Sequence, residues 1–152
     1  MISRKIISAS ISSTLYAILL SIFFYRFGSN GSIFYSVISS LSIYMIYVVP
    51  AIFFYGIITS ILSDKIGELS KRYSNLKYIS LLISIIFHFL FGLILGWISL
   101  LAAGIFLITD QLLLKKKPYY TVKEAIISLV ILVSFFILFW GTIYYSDYRN
   151  AA

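Results

Sequence analysis

The sequence predicts an all-α, polytopic bundle of membrane-spanning helices, on three observations. No charged residue occurs from Phe27 to Ser63, nor from Tyr78 to Thr109. Of 152 residues, 61% are hydrophobic and only 11% charged, against roughly 25% charged in a soluble domain. The mean hydropathy is +1.02. Apolar runs longer than about 18 residues cross a bilayer as helices, because a helix satisfies its own backbone amides where lipid offers no partner. The longest polar stretch, Asp64 to Lys77, is too short for a soluble domain, so residues 1–152 read as a single integral membrane domain.

The first span is expected near residues 6–24. Arg4 and Lys5 precede it as in a signal sequence, but Ser21-Ile22-Phe23-Phe24-Tyr25-Arg26 contains no small-x-small cleavage site, so an uncleaved helix with a cytoplasmic N-terminus is expected. Gly28-Ser29-Asn30-Gly31-Ser32 ends it with turn-forming residues, and Tyr25 and Arg26 suit the head-group layer.

The apolar stretch from Ile33 to Leu62 would be ~45 Å long as one helix, against a hydrocarbon core of ~30 Å. One tilted span near 40–62 is expected, with Ile33–Ser40 partly in the outer interface. Pro50 cannot donate to the carbonyl of Ile46, so a kink is expected there, either structural or as a gating hinge. The polar stretch after it reads as a solvated cytoplasmic loop. Glu68, three residues before Lys71 and four before Arg72, supports a short juxtamembrane helix within it.

Tyr78 to Leu114 would be ~55 Å long as one helix, so a hairpin is preferred, with spans near 78–94 and 98–114 and a turn at Gly96-Trp97. The positive-inside rule arbitrates. With five spans, Arg4, Lys5, Lys65, Lys71, Arg72, Lys77, Lys115, Lys116, Lys117 and Lys123 face the cytoplasm, leaving only Arg26 and Arg149 outside. With four spans the Lys115–Lys117 cluster and Lys123 fall outside, and the asymmetry nearly vanishes. Five spans are therefore preferred and four are the alternative. Pro118 breaks the chain before the last span, near 125–143, which ends in an aromatic belt of Trp140, Tyr144, Tyr145 and Tyr148.

The net charge of +7 is explained by cytoplasmic loops facing anionic lipid, and no polar module is present to carry nucleic acid. Cysteine is absent, which excludes disulfides and thiolate chemistry. The chain lacks a Gly-x-Ser-x-Gly elbow, a His-Glu-x-x-His pair and a phosphate-binding glycine loop. No catalytic, cofactor or metal site is expected, and the chain reads as a non-enzyme.

Two polar residues stand out. His88 lies about ten residues into its span, near mid-bilayer, where an ionisable group is costly and signals a relay or a substrate contact. The alternative is a neutral imidazole bonded to a serine or a carbonyl of a neighbouring helix. Asp110 lies about one turn inside the cytoplasmic edge, able to pair with nearby lysines or with a polar group between helices. Ser80, Ser84, His88, Gly92, Gly96 and Gly104 fall on one four-residue series, a small or polar stripe. Within it Gly92 and Gly96 form a GxxxG pattern suited to close helix packing, within the chain or in a dimer.

The segment Tyr55-Gly56-Ile57-Ile58-Thr59-Ser60-Ile61-Leu62-Ser63-Asp64-Lys65, with Phe87-His88-Phe89-Leu90-Phe91-Gly92 and Asp110-Gln111-Leu112-Leu113, resembles a family of small multi-pass membrane proteins of spore-forming, Bacillus-type bacteria. That family has no assigned activity, so the resemblance implies a helical bundle and a membrane location. Gln111 stands where an acid would complete a carboxylate pair.

The expected function is that of a non-enzymatic inner-membrane accessory, stress or immunity-type component acting through helix or lipid contacts. Its expected partners are the bilayer, anionic lipid at the basic loops, and a second copy or another membrane protein. The alternative is a small oligomeric transporter or pore with His88 and Pro50 in its path; a holin-like role is the third reading.

Overall fold

The computed structural model describes residues 1–24, 33–71, 79–94 and 96–151. The turn expected at Gly28–Ser32, together with Tyr25, Arg26, Arg72, Lys77 and Tyr78, lies outside the described residues, as do the side chains of Lys71, Tyr148 and Arg149. Every regular element among the described residues is helical: α1 (Ile2–Phe24), α2 (Ile33–Pro50), a π-helical segment (Ala51–Gly56), α3 (Ile57–Lys71), α4 (Ile79–Ile94), α5 (Trp97–Lys116) and α6 (Val122–Ala151).

Four helical stretches are long and apolar enough to cross a membrane: Ile2–Phe24, Tyr35–Ser70, Trp97–Lys116 and Val122–Tyr145. The fifth helix, α4, is apolar but has 16 residues. That is ~24 Å, short of a ~30 Å core, and it reaches across only with a locally thinned bilayer or help from its flanks.

The α4–α5 hairpin turns at Gly96. Its φ of 98° and ψ of 179° belong to a region open essentially to glycine alone. Ser99 closes the turn, its hydroxyl shared between the carbonyls of Gly92 and Gly96. The hairpin thus needs no strongly polar residue. Gly92 lets α5 approach, since a Cβ there would lie 3.0 Å from that of Ala103. The GxxxG pair is therefore divided between a packing contact and a turn.

Pro50 produces a change of helical register. It closes α2 with helical angles, and the next six residues wind as a π-helix. Within that segment Ile57 donates its N–H to the carbonyl of Ile52, five residues back. Helix then continues through the stretch expected to be a loop, as far as Lys71. The correction has a physical cause: Asp64 has partners inside the bundle, and Gly67 lets α3 press against the backbone of Ser80 on α4.

α1 is the hub, packing against α2, α5 and α6 and touching α3. Its small residues make this possible: Ser8, Ala9, Ser12, Ser13, Ala17 and Ser21 are fully buried, which allows backbones to approach closely. Several hydroxyls bond back along their own helix, Ser8 to Arg4 and Ser10 to Ile6 among them. Two apolar clusters form the core: one around Tyr16, Leu20, Ile52 and Phe106, the other around Ala17, Leu41, Met45 and Leu132. α6 starts with a reciprocal cap, Glu124 accepting from the Thr121 amide at 2.7 Å while its own amide donates to the Thr121 hydroxyl at 3.3 Å. Most of α6 beyond this cap is an exposed apolar surface suited to lipid.

Candidate functional site

Two polar features meet in the bundle. The first is a charge cluster at the end where α1 begins and α3 and α5 finish. Lys5, fully buried, places Nζ 2.6 Å from Asp64 Oδ2, 2.8 Å from Asp110 Oδ2 and 2.6 Å from Ser60 Oγ. Arg4 grips Asp110 in a two-pronged contact, Nε to Oδ1 at 2.8 Å and one terminal nitrogen to Oδ2 at 3.2 Å. Ser8 donates to Asp110 at 3.1 Å and Ser84 to Asp64 at 2.9 Å. Two cations and two carboxylates thus balance one another, with hydroxyls taking up spare lone pairs. This combination makes buried charge tolerable.

Asp110 therefore bonds to the first turn of α1 rather than to the lysines beside it; Lys115, Lys116 and Lys117 remain exposed, Lys117 paired with Glu124 at 2.8 Å. Arg4 and Lys5, expected to be cytoplasmic anchors, lie inside the bundle, as does part of Asp64, whose side chain is 24% exposed. No sequence spacing announces this grouping, because the partners come from three helices. The available signal was arithmetic: two acids at the polar margin of apolar segments, and two bases one turn into another.

The second feature is a cavity of about 410 Å3 between α1, the α2–π–α3 rod, α4 and α5. Tyr16, Tyr44, Tyr47, Tyr55, His88 and Phe106 contribute to its wall, and among the described residues no Asp, Glu, Lys or Arg does. Its lining includes two exposed residues, Tyr47 (71% exposed) and Ile98 (55% exposed). The π-helical segment supplies Ala51, Ile52, Tyr55 and Gly56 to the wall. π-helical turns recur where a binding site needs side chains off the regular helical register.

His88 stands between the two features. Its ring is 5.7 Å from that of Phe106. The charged groups acting on it are Lys5, Asp64 and Asp110. Ser84, one turn earlier on the same face, bonds Asp64, so the carboxylates are nearer His88 than the sequence suggests. His88 is 3% exposed, and Nε2 has no hydrogen-bond partner. Of the stripe on α4, Ser84, His88 and Gly92 are buried toward the bundle. Pro50 lies between the wall residues Val48 and Ala51 and is not itself among them, and Gly96 forms the turn at the opposite end from the charge cluster.

Among the described residues, no group of three or more His, Cys, Asp or Glu side chains is placed to hold a metal ion. Comparison of the chain with protein-family models, curated proteins and solved structures found no match.

Proposed function

We propose that this chain is a non-enzymatic integral protein of the cell membrane that binds a lipid-phase molecule in the cavity beside His88. The observation that carries this reading is the cavity itself. Its volume of about 410 Å3 falls within the range of about 300–1,000 Å3 typical of small-molecule sites, and among the described residues its wall holds no Asp, Glu, Lys or Arg and includes the exposed Tyr47 and Ile98. The charge cluster acts as the clamp that holds α1, α3 and α5 around it. The same end carries exposed Lys65, Lys115, Lys116 and Lys123, which favours a cytoplasmic placement against anionic lipid.

Photolabelling with an alkyl diazirine tests the reading. Labels should concentrate on Tyr44, Tyr47 and Ile98, compete with unlabelled alkane, and fall away in Ala102→Phe, which fills the cavity. Even labelling of these residues and the lipid-facing side of α6 would defeat it.

A second reading, a small transporter, is favoured by the position of His88 between the cavity and the Lys5–Asp64–Asp110 cluster, a layout suited to coupling solute to protons. Reconstituted protein would then move solute in liposomes, and His88→Ala would stop the flux with insertion unchanged. Normal flux in that variant removes His88 from the route.

A further inference from the structure

The hydrogen bonds already made in the cavity wall limit what can enter it. Tyr16 donates its phenolic hydrogen to the carbonyl of Ile98 at 2.6 Å, and Tyr55 donates to Phe91 at 2.7 Å. Thr59 donates to Tyr55 at 2.9 Å, and Ser99 to the carbonyls of the hairpin turn. A hydroxyl has one hydrogen and two lone pairs, so all four groups keep acceptor capacity and have no hydrogen left to offer. His88 adds to this set. Nε2 has no partner, and in the tautomer protonated at Nδ1 a neutral ring presents it as an acceptor. Tyr44, packed against both apolar clusters, and the exposed Tyr47 also line the cavity, and their phenols can turn either way.

Four of the hydroxyls in the wall, those of Tyr16, Tyr55, Thr59 and Ser99, therefore accept hydrogen bonds from a guest and have none to give. Among the described residues the wall also has no charged group, because Arg4, Lys5, Asp64 and Asp110 are engaged with one another. A charged guest would be buried without a counter-charge, which costs several kcal/mol. A guest bearing only a carbonyl or an ether oxygen would set acceptor against acceptor.

We infer that the cavity takes an uncharged amphiphile whose polar end is a hydrogen-bond donor, an alcohol or phenol hydroxyl, seated toward His88 and Thr59 with its apolar tail leaving past Tyr47 and Ile98. This rests on the binding-cavity reading above and adds to it the chemical class of the ligand. Nε2 is covered by its neighbours, so the hydroxyl meets it through a small rotation of the imidazole. That contact gives a partner to a buried nitrogen that otherwise has none.

The test uses 4-nonylphenol and its methyl ether, 4-nonylanisole, which differ in the one hydrogen at issue. Binding of each to the purified full-length chain in lipid nanodiscs is measured by equilibrium dialysis, with protein-free nanodiscs as blank. The phenol should bind saturably and about tenfold more tightly than the ether, as expected for a buried hydrogen bond gained against one lost. His88→Phe should reduce that ratio several-fold; where that variant does not fold, Thr59→Val serves, since it removes an acceptor with little change of shape. Equal affinity for phenol and ether, or preference for the ether, overturns the donor requirement and leaves the cavity reading standing. A phenol preference unchanged in both variants overturns the seating at His88 and Thr59. Absence of saturable binding by either probe overturns the cavity reading itself.

Discussion

Lys5 Nζ lies 2.8 Å from Asp110 Oδ2, although 105 positions separate the two residues in the chain. The same nitrogen lies 2.6 Å from Asp64 Oδ2, so one buried ammonium joins the start of α1 to the middle of α3 and the C-terminal part of α5. The net attraction within such an arrangement is modest, because desolvation offsets most of it. Its rupture is costly, since removing one member leaves a buried charge uncompensated.

Lys5→Met should therefore destabilise the bundle by about 3–5 kcal/mol, measured by unfolding in mixed detergent micelles. The Lys5→Met, Asp64→Asn pair should cost less than the sum of the singles by at least about 1 kcal/mol, because the second change removes a charge that the first stranded. Strict additivity would mean that the two groups do not interact in the folded bundle.

Gly96→Ala should cost about 1–3 kcal/mol, since alanine is strained at a φ of 98° even though open space surrounds the position. Gly141→Ala, also in open space but within α6, should be neutral or stabilising by up to about 1 kcal/mol. Comparing the two unfolding curves separates backbone conformation from crowding.

Gly67→Ala should be costly for the opposite reason, its Cβ meeting the backbone carbonyl of Ser80. Backbone cannot swing aside as a side chain can, so α3 and α4 must part, at about 1–3 kcal/mol. Gly56→Ala meets Ile52 at an ordinary 3.5 Å and should be close to silent in the same assay.

A cysteine at Lys116 and another at Trp97 should label from opposite sides of the membrane, because the two positions lie at opposite ends of α5. With a cytoplasmic N-terminus, an impermeant thiol reagent reaches Trp97→Cys in intact cells and Lys116→Cys only after lysis. The native chain contains no cysteine to obscure the result. Reversed labelling would invert the orientation; labelling of both from outside would mean that α5 does not cross.

The helices are legible in the sequence because lipid leaves the backbone few alternatives, and the hairpin is legible because an apolar stretch from Tyr78 to Leu114 is too long for one crossing. Pro50 marks a perturbation but does not say whether the chain bends or winds into a π-helix, since that depends on which register packs against α1 and α5. The site is less legible. His88 and Asp110 stand out as isolated polar residues, yet Arg4 and Lys5 resemble ordinary flanking bases, and Asp64 resembles the first residue of a loop. Their roles come from pairing across 55 to 106 positions, which local spacing does not encode. The tyrosines of the cavity wall are similarly inconspicuous in a chain with 13 of them.

The charge cluster also sets an order of assembly. Arg4 and Lys5 emerge from the ribosome well before either acid exists, and at ~5–20 residues per second the 105 positions to Asp110 represent a wait of ~5–20 s. During that interval the two bases lack part or all of the carboxylate charge that balances them in the finished bundle. Asp64 arrives first and neutralises only part of the charge; α5 supplies the rest. α1 is thus made before the helix that completes its charge cluster, and a nascent chain halted before α5 carries a charge that the finished bundle balances.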